Sequence, residues 1–260
     1  MTKNFKMVAK TLYGLEEILA QELRQLGASN IEIGVRNVSF EGDTGFMYKA
    51  NLCCRTAIKI LKPITAFNVF KEEDLYQKVY NINWQQYMDV KGSLAVDATV
   101  FSDYFKHSQY IALKTKDAIV DRFRDMEGER PNVDLDHPTL RINIHIDRNI
   151  CTVSLDSSGQ SLHKRGYKVA NTLAPINEVL AAGMILKAGW TGQSDFIDPM
   201  CGGGTLLAEA AMIACNIPAN LNKEEFGFET WPDFDVDLYE PTKDALIKVA
   251  PLIVKNGIIN

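Results

Sequence analysis

The chain has 260 residues, with 28 Lys and Arg against 33 Asp and Glu and a formal net charge of −5. This balance excludes a uniformly basic nucleic-acid-binding protein, although a local basic cluster is compatible with it. The sequence has no run of about 18 apolar residues, which argues against a transmembrane helix. Its five cysteines have no CxxC spacing, which favours reduced thiols in a cytoplasmic protein and no zinc site.

The first 66 residues predict a small α+β domain. Residues 5–11 form a predicted strand, a helix ends at Gly27, and alternating apolar residues around Gly34 predict a hairpin. A helix over 44–53 and a strand over 57–65 complete the order β-α-β-β-α-β. This order is typical of a ferredoxin-like fold.

The following residues predict a second unit of strands and helices. We expect a helix over 71–80, a strand over 93–101 and a long helix over 108–126. Two strands, over 139–146 and 151–155, then follow with strict apolar alternation. The long helix has an apolar stripe at helical spacing, so one of its faces should be buried.

Basic and aromatic residues gather where the long helix begins. Five Lys and Arg residues lie between positions 106 and 124, close to Tyr104, Phe105 and Tyr110. Because cations contact phosphates and aromatic rings stack on bases, this cluster suggests an RNA surface. The five charges do not share one helical face, and a solvated helix with ordinary charges explains them equally well.

A basic turn comes next, after the polar connector 156–161. Residues 162–168, Leu-His-Lys-Arg-Gly-Tyr-Lys, carry three cations and a histidine around one glycine. Such a turn could contact RNA or a substrate base. A cationic linker between domains is the alternative, and for His163 alone it is the favoured one.

A helix is predicted to begin at Pro175, since proline suits the first helical position, and to end at Gly189. Its apolar residues recur at helical spacing and should form a buried stripe. The stripe residues are Ile176, Val179, Leu180, Gly183 and Met184.

The stretch Asp195–Thr205 predicts a strand over 195–198, a glycine turn over 202–204, and a helix over 206–214. Consecutive glycines let the backbone approach a ligand, and the helix N-terminus offers free N–H groups. No lysine follows Gly204, which excludes a phosphate-binding P-loop, and Leu207 occupies the third glycine position of the dinucleotide fingerprint.

The acidic residue of this loop, Asp198, narrows the choice of ligand further. Asp198 would repel phosphate but suits a ligand with an ammonium group and a ribose, which points to S-adenosylmethionine. A purely structural tight turn is the alternative. Beyond the loop, the chain has an aromatic, acidic segment over 227–234 and a predicted helix over 242–250. Since a doubly wound domain normally needs more strands than 174–260 can supply, we expect that the sequence is cut short.

Taken together, these motifs resemble the THUMP-domain 23S rRNA guanine-N2-methyltransferases of bacteria over nearly the whole chain. No single motif decides the resemblance, but their order and spacing are specific. The matching segments are Thr11-Leu-Tyr-Gly-Leu-Glu16, Ser108-Gln-Tyr110, Lys116-Asp-Ala-Ile-Val-Asp121, Arg130-Pro-Asn-Val-Asp134, Leu162-His-Lys-Arg-Gly-Tyr167, Ala174-Pro-Ile-Asn-Glu178 and Asp198-Pro-Met-Cys-Gly-Gly-Gly-Thr205 running into Leu206-Leu-Ala-Glu-Ala-Ala211.

The resemblance implies an α+β then α/β architecture of three domains. It places a ferredoxin-like domain at 1–66, a THUMP RNA-binding domain at 67–156, a linker at 157–173, and the start of a Rossmann-type methyltransferase domain at 174–260. The family usually has Ser where this chain has Gly203, which should loosen the loop without abolishing binding.

The resemblance also implies functional residues. Those for S-adenosylmethionine are Asp198, Pro199, Cys201, Gly202, Gly204 and Thr205. Those for RNA, combining the basic cluster with the matched motifs, are Lys106, Ser108, Gln109, Lys114, Lys116, Lys164 and Arg165.

The implied reaction is methyl transfer to the exocyclic amine of a guanine in 23S rRNA, in the cytoplasm and without a metal. Such chemistry requires a base that has been flipped out and held in line with the methyl donor. The family's Asn/Asp-Pro-Pro-Phe/Tyr motif is absent from the 260 residues, so we expect no catalytic residue among them and no activity of this chain alone. Two alternatives stay open at this point: a non-catalytic RNA-binding module and a THUMP-type tRNA guanine-N2-methyltransferase.

Overall fold

A computed structural model of the chain describes residues 3–168 and 175–249. The described residues form two compact units. Unit 1 comprises residues 3–60, 161–168, 175–224 and 235–249, and unit 2 comprises residues 61–160 and 225–234. Each unit therefore combines segments that are distant in sequence.

The N-terminal part of unit 1 has the predicted ferredoxin-like order. Its elements are β1 (Phe5–Thr11), α1 (Glu16–Leu26), β2 (Ser29–Gly34), β3 (Asn37–Gly42), α2 (Thr44–Cys53) and the beginning of β4 (Ala57–Asn68). The strand order is β2-β3-β1-β4, and β1 pairs with β3 in antiparallel register from Phe5 opposite Gly42 to Lys10 opposite Asn37. This part of the fold confirms the prediction from periodicity.

Local sequence explains where these elements start and stop. In β1 and β3 every second residue is buried, including Met7 and Phe40, so one face of the sheet forms the core. Helix α1 ends at Gly27, whose φ of 104° is costly for any residue with a side chain. Helix α2 begins where the Asp43 carboxylate accepts the N–H of Phe46 at 2.8 Å.

The later part of unit 1 consists of three helices, α5 (Glu178–Lys187), α6 (Thr205–Ala214) and α7 (Val236–Val249). Helix α5 begins at Glu178 rather than at Pro175, because Asn177 caps it by accepting the N–H of Leu180 at 3.2 Å. Helix α7 begins several residues before the predicted start and contains Pro241.

Two expectations for unit 1 are wrong. The predicted stripe of α5 is only partly buried: Val179 is buried, but Leu180 is 39% and Met184 49% exposed. Gly183 of the predicted stripe is buried as well, and Ala181, Ala182 and Ile185 complete the buried face. Gly183 packs against Leu15 so closely that a Cβ would lie 2.4 Å from Leu15 Cδ1.

Residues 195–198 are not a strand either. A strand is defined by backbone hydrogen bonds to a neighbouring strand, and no described strand lies beside these residues. The first residue of the predicted methyltransferase domain, Ala174, lies outside the described residues, as does the end of the predicted helix at 250.

Unit 2 contains a mixed sheet of order β4-β8-β7-β5-β6. Its elements beyond β4 are α3 (Glu72–Tyr80), β5 (Ser93–Phe101), α4 (Ser108–Glu127), β6 (Asn132–Val133), β7 (Leu140–Asp147) and β8 (Ile150–Asp156). Strand β5 runs parallel to β6 and β7, and the other pairs are antiparallel. The predicted buried stripe of α4 is confirmed at Ile111, Thr115, Ala118, Ile119 and Phe123.

Two short 3₁₀ helices, Trp84–Gln86 and Gly227–Thr230, complete unit 2 and were not predicted. The Trp84 ring is fully buried, and its Nε1–H donates to the carbonyl of Val79 at 2.9 Å. Among the helices described, none combines the length and the apolar character that crossing a membrane would require.

Candidate functional site

The glycine loop of unit 1 joins an extended segment to helix α6. The Asp198 carboxylate accepts the N–H of Met200 at 3.1 Å, and the N–H of Gly204 donates to the carbonyl of Cys201 at 2.8 Å. Gly202 and Gly204 adopt φ values of 52° and 72°. Because these values lie in the left-handed region, the loop conformation depends on glycine at both positions.

The outer face of this loop is open. No atom lies within 4 Å of a Cβ built on Gly202 or Gly204, and Pro199 and Cys201 are exposed. Thr205 is 2% exposed and begins α6, whose first N–H groups have no acceptor within the helix. The loop therefore combines uncovered backbone at Gly202 and Gly204 with a helix N-terminus and the Asp198 carboxylate.

The basic turn predicted at 162–168 leads into a buried ion pair. The Arg165 side chain is 1% exposed and the Glu209 side chain of α6 is fully buried, with Arg165 Nε lying 3.3 Å from Glu209 Oε1. Arg165 Nη1 donates to the carbonyl of Leu162 at 2.9 Å, and Nη2 donates to the carbonyl of Arg55 at 2.6 Å. Arg165 was predicted to bind RNA, and its burial removes it from that surface.

Asn220 extends this buried network to helix α2. Its side-chain oxygen accepts Arg165 Nη1–H at 2.9 Å, while its Nδ2–H donates to the carbonyl of Asn51 at 2.7 Å. The chain passes close by at Gly166, whose φ is 84° and whose Cβ, if present, would lie 2.1 Å from the carbonyl oxygen of Asn222. The turn thus needs Gly166 for both its conformation and its packing.

The network also shifts the pKa values of two side chains, Glu209 and Tyr167. Burial raises the pKa of the Glu209 carboxyl, and the Arg165 guanidinium lowers it only in part. The Tyr167 hydroxyl donates to Glu209 Oε1 at 3.0 Å, and its pKa is raised by burial and by this carboxylate. Glu209 Oε2 is buried without a hydrogen-bond partner. A charge held in this way depends strongly on the Arg165 guanidinium, with a smaller contribution from Arg55.

Helix α4 carries the basic residues predicted to meet RNA in unit 2. Lys114 and Lys116 are partly exposed, whereas Lys106, Ser108 and Gln109 at the helix start are exposed. The four cations of α4 already contact neighbours in unit 2. Lys116 pairs with Asp117, and Arg124 pairs with Asp121 at 3.1 Å. Lys114 Nζ lies 4.9 Å from the centre of the Tyr76 ring, and Arg122 donates to the carbonyl of Tyr80 at 3.1 Å. Acidic partners therefore offset the charges of Lys116 and Arg124, whereas Lys114 and Arg122 contact uncharged groups.

Lys164, the remaining cation predicted to bind RNA, is exposed in unit 1. Its neighbour His163 is half-buried, and the histidine Nδ1 lies 2.8 Å from Ser161 Oγ. Burial lowers the pKa of His163, so the ring is mostly neutral at physiological pH. Within 3–168 and 175–249, no group of three or more His, Cys, Asp or Glu is arranged to hold a metal ion.

Sequence reasoning missed two features of interest. Glu209 was counted as an ordinary helix residue, although a lone carboxylate in the apolar segment Thr205–Ala214 is a signal for a buried pair. Phe70 and Phe101 were also overlooked, although both rings are more than half exposed. The sequence signal for an exposed ring was the position of each residue, Phe101 at the end of a strand and Phe70 just before a helix.

Three family models match successive parts of the chain. The RlmL ferredoxin-like domain matches residues 6–61, the THUMP domain matches residues 70–156, and the RMKL-like methyltransferase domain matches residues 165–255. A crystal structure of a protein assigned as a methyltransferase and complexed with SAH is 31% identical, with a TM-score of 0.82 over 99% of this chain and 68% of that one. The chain belongs to the THUMP-domain methyltransferase family.

Curated relatives agree with this family. The ribosomal RNA large subunit methyltransferase K/L of Cellvibrio japonicus is 43% identical over 87% of this chain and 31% of its own length. A protein of Synechocystis sp. assigned as an RNA methyltransferase is 41% identical over 87% of this chain and 59% of its own length. The chain thus spans between about a third and three fifths of these relatives.

Solved structures support the fold more widely. A predicted N6-adenine-specific DNA methylase from Listeria monocytogenes is 29% identical, with a TM-score of 0.82 over 95% of this chain and 65% of that one. TrmN from Thermus thermophilus is 20% identical with a TM-score of 0.57, a likeness of fold alone. These comparisons confirm a ferredoxin-like domain, a THUMP domain and a Rossmann-like methyltransferase fold in one chain.

Proposed function

We propose that this protein is an S-adenosylmethionine-dependent RNA methyltransferase that modifies the N2 amine of a guanine in large-subunit rRNA. The observation that carries the proposal is the open glycine loop at the N-terminus of α6, within the segment that matches a methyltransferase model. Relatives named for large-subunit rRNA and the THUMP match support RNA as the substrate.

The residues of the loop fit S-adenosylmethionine. Asp198 uses Oδ1 to brace the turn, and its carboxylate charge is complementary to the ammonium of the cofactor's methionine part. The first N–H groups of α6, starting at Thr205, suit the cofactor carboxylate. Gly202 and Gly204 keep the space above the loop clear, and exposed Pro199 and Cys201 border it. When bound, the cofactor supplies the electrophilic methyl group.

The RNA contacts belong to the same proposal. Unit 2 holds the whole THUMP match, and its exposed residues Lys106, Ser108 and Gln109 lie just before or at the start of α4. Lys114 and Lys116 are proposed as weaker contacts, because neighbouring groups already satisfy them. Lys164 is proposed as a phosphate contact in unit 1.

The identity of the nucleic-acid substrate is the most specific part of the proposal. One similar structure is titled as a DNA adenine methylase, whereas the curated relatives are named for rRNA. Competition binding with large-subunit rRNA, tRNA and duplex DNA at one stated salt concentration separates these substrates. We expect the rRNA to compete best, and equal competition by DNA would contradict the choice of RNA.

Isothermal titration with S-adenosylhomocysteine tests the cofactor loop. Gly204→Ala should weaken binding about tenfold or more, because the new methyl group occupies the open space above the loop. Gly189→Ala is the matched control: Gly189 also has a positive φ, 75°, and open space around its Cβ. Both variants carry similar backbone strain, of about 1 kcal/mol.

Two results would contradict the cofactor assignment. One is an absence of S-adenosylhomocysteine binding to the parent protein at millimolar concentration. The other is an equal loss of affinity in both variants, since that would trace the effect to strain rather than to the loop.

A further inference from the structure

Three aromatic rings are exposed at one end of the unit 2 sheet. Phe101 is the last residue of β5, Tyr104 follows three residues later, and Phe70 follows the end of β4. Their exposed fractions are 65%, 58% and 53%. We name these three residues the aromatic edge.

The aromatic edge is held by a fixed backbone. The N–H of Arg148 donates to the carbonyl of Phe101 at 2.6 Å, and the N–H of Tyr104 donates to Ser102 Oγ at 3.1 Å. The rings of Phe70 and Tyr104 meet edge-to-face, with their centroids 5.6 Å apart. Because the loops are already ordered, a ligand that binds here loses little affinity to their immobilisation.

The residue types at this edge favour a planar ligand. The Phe101 ring contacts His145, with centroids 6.0 Å apart. Single exposed apolar residues are ordinary, but the contacting pair Phe70 and Tyr104, with exposed Phe101 at the same sheet end, is typical of an interaction surface. All three residues of the edge are aromatic rather than aliphatic, and an aromatic ring offers a flat π-face on which any nucleobase can stack.

The charges near the edge are almost balanced. Lys71, Lys106 and Arg148 are exposed there, as are four acids, Glu72, Glu73, Asp103 and Asp147. A surface that relied on phosphate contacts would carry a clear excess of cations. The stacking of bases, supported by a few phosphate contacts, therefore matches this surface better than the tracking of a duplex backbone.

We propose that the aromatic edge binds unpaired nucleotides of the RNA substrate by stacking their bases on Phe70, Phe101 and Tyr104. This inference rests on the proposed RNA function and specifies the part of the RNA that unit 2 holds. In an A-form duplex the bases are stacked on one another and offer no free face to a protein ring. The edge should therefore discriminate between single-stranded and paired RNA.

Fluorescence anisotropy tests this inference with two RNA probes, a 12-nucleotide strand of mixed sequence without self-complementarity and the blunt duplex that this strand forms with its complement. Phe101→Ala and Tyr104→Ala should each weaken single-strand binding about tenfold, the usual effect of removing one stacking ring. Tyr13→Ala is the matched control, because Tyr13 is 79% exposed in unit 1. It should leave affinity unchanged.

The salt dependence gives a second readout. Phe101→Ala and Tyr104→Ala should leave the slope of log Kobs against log salt unchanged, because neither substitution removes a phosphate contact. A changed slope in these variants, equal affinity for strand and duplex, or unchanged affinity in both alanine variants would overturn the inference. Equal affinity would leave a protein partner as the better occupant of the edge.

The S-adenosylhomocysteine titration separates this inference from the proposed function. Cofactor binding with unaltered RNA affinity in the edge variants refutes the aromatic edge and leaves the methyltransferase proposal standing. Loss of single-strand affinity in these variants without cofactor binding supports the edge and refutes the cofactor loop.

Discussion

Replacing Arg165 by Met should destabilise unit 1 severely. Met has a similar apolar length but no donor, so the change leaves the Glu209 carboxylate buried without its cation. It also removes the N–H groups that the carbonyls of Leu162 and Arg55 accept. Breaking one side of a buried pair typically costs about 3–5 kcal/mol.

This cost should depend on pH in a defined direction. Burial raises the pKa of Glu209, so the folded protein holds that proton more tightly than the unfolded chain does. Stability from this group therefore falls as pH rises from the ordinary carboxyl pKa through the raised one. Without the Arg165 guanidinium the pKa rises further, so the loss should be larger at pH 7.5 than at pH 5.

Urea denaturation followed by circular dichroism at both pH values measures the loss, and hydrogen exchange of α6 assigns it to unit 1. Arg124→Met is the control, since Arg124 pairs with Asp121 and Asp125 but its side chain is 48% exposed; it should cost about 0–1 kcal/mol. The double variant Arg165→Met/Glu209→Leu should recover much of the loss, because no charge stays buried.

The reasoning is refuted if Arg165→Met costs no more than the surface control. It is also refuted if the loss is the same at pH 5 and pH 7.5, because an unpaired buried carboxylate must respond to protonation.

Two further predictions concern backbone and thiols. In thermal denaturation, Gly166→Ala should destabilise the protein more than Gly128→Ala does. Both glycines have a positive φ, but of the two only Gly166 faces a backbone oxygen within contact distance. Equal losses of stability in the two variants would contradict the packing contact. Iodoacetamide should alkylate exposed Cys201 first, because burial raises the pKa of Cys151 to about 12. S-adenosylhomocysteine should slow the alkylation of Cys201. Mass spectrometry of the labelled peptides measures the order of alkylation, and labelling of Cys151 before Cys201 would contradict the prediction.

Much of the fold of residues 5–156 follows from periodicity. Helix α2 has the predicted bounds, and α4 and β5 begin at the predicted residues. Helix α4 buries one face, so the spacing of its own apolar residues contains the necessary information. Gly27 and Asp43 add conformational stop and start signals that act over only a few residues.

The later segments were less predictable because their partners lie far away in sequence. Helix α5 buries small residues such as Ala182, and these carry little hydrophobic signal. Residues 195–198 look strand-like, but only a neighbouring strand can make them one. Arg165 looks like a surface cation in a basic turn, and its acceptors, Glu209 and Asn220, lie 44 and 55 residues further along the chain.

At the candidate site, the glycine turn and the helix after it lie where the sequence predicts them. Its positive-φ glycines and the helix after it follow from local chemistry. The single carboxylate within α6 that pairs with Arg165 does not, because only the folded unit reveals that both charges are buried.

The discontinuity of unit 1 has a consequence for its biosynthesis. The carbonyl of Asn51 receives its hydrogen bond from Asn220, 169 residues later, and that of Arg55 from Arg165, 110 residues later. The ferredoxin-like elements therefore leave the ribosome long before the residues that complete their packing. Such distant contacts form slowly. The nascent N-terminal segment therefore stays incompletely packed while about a hundred residues of unit 2 are translated, and it is exposed to chaperones during that time.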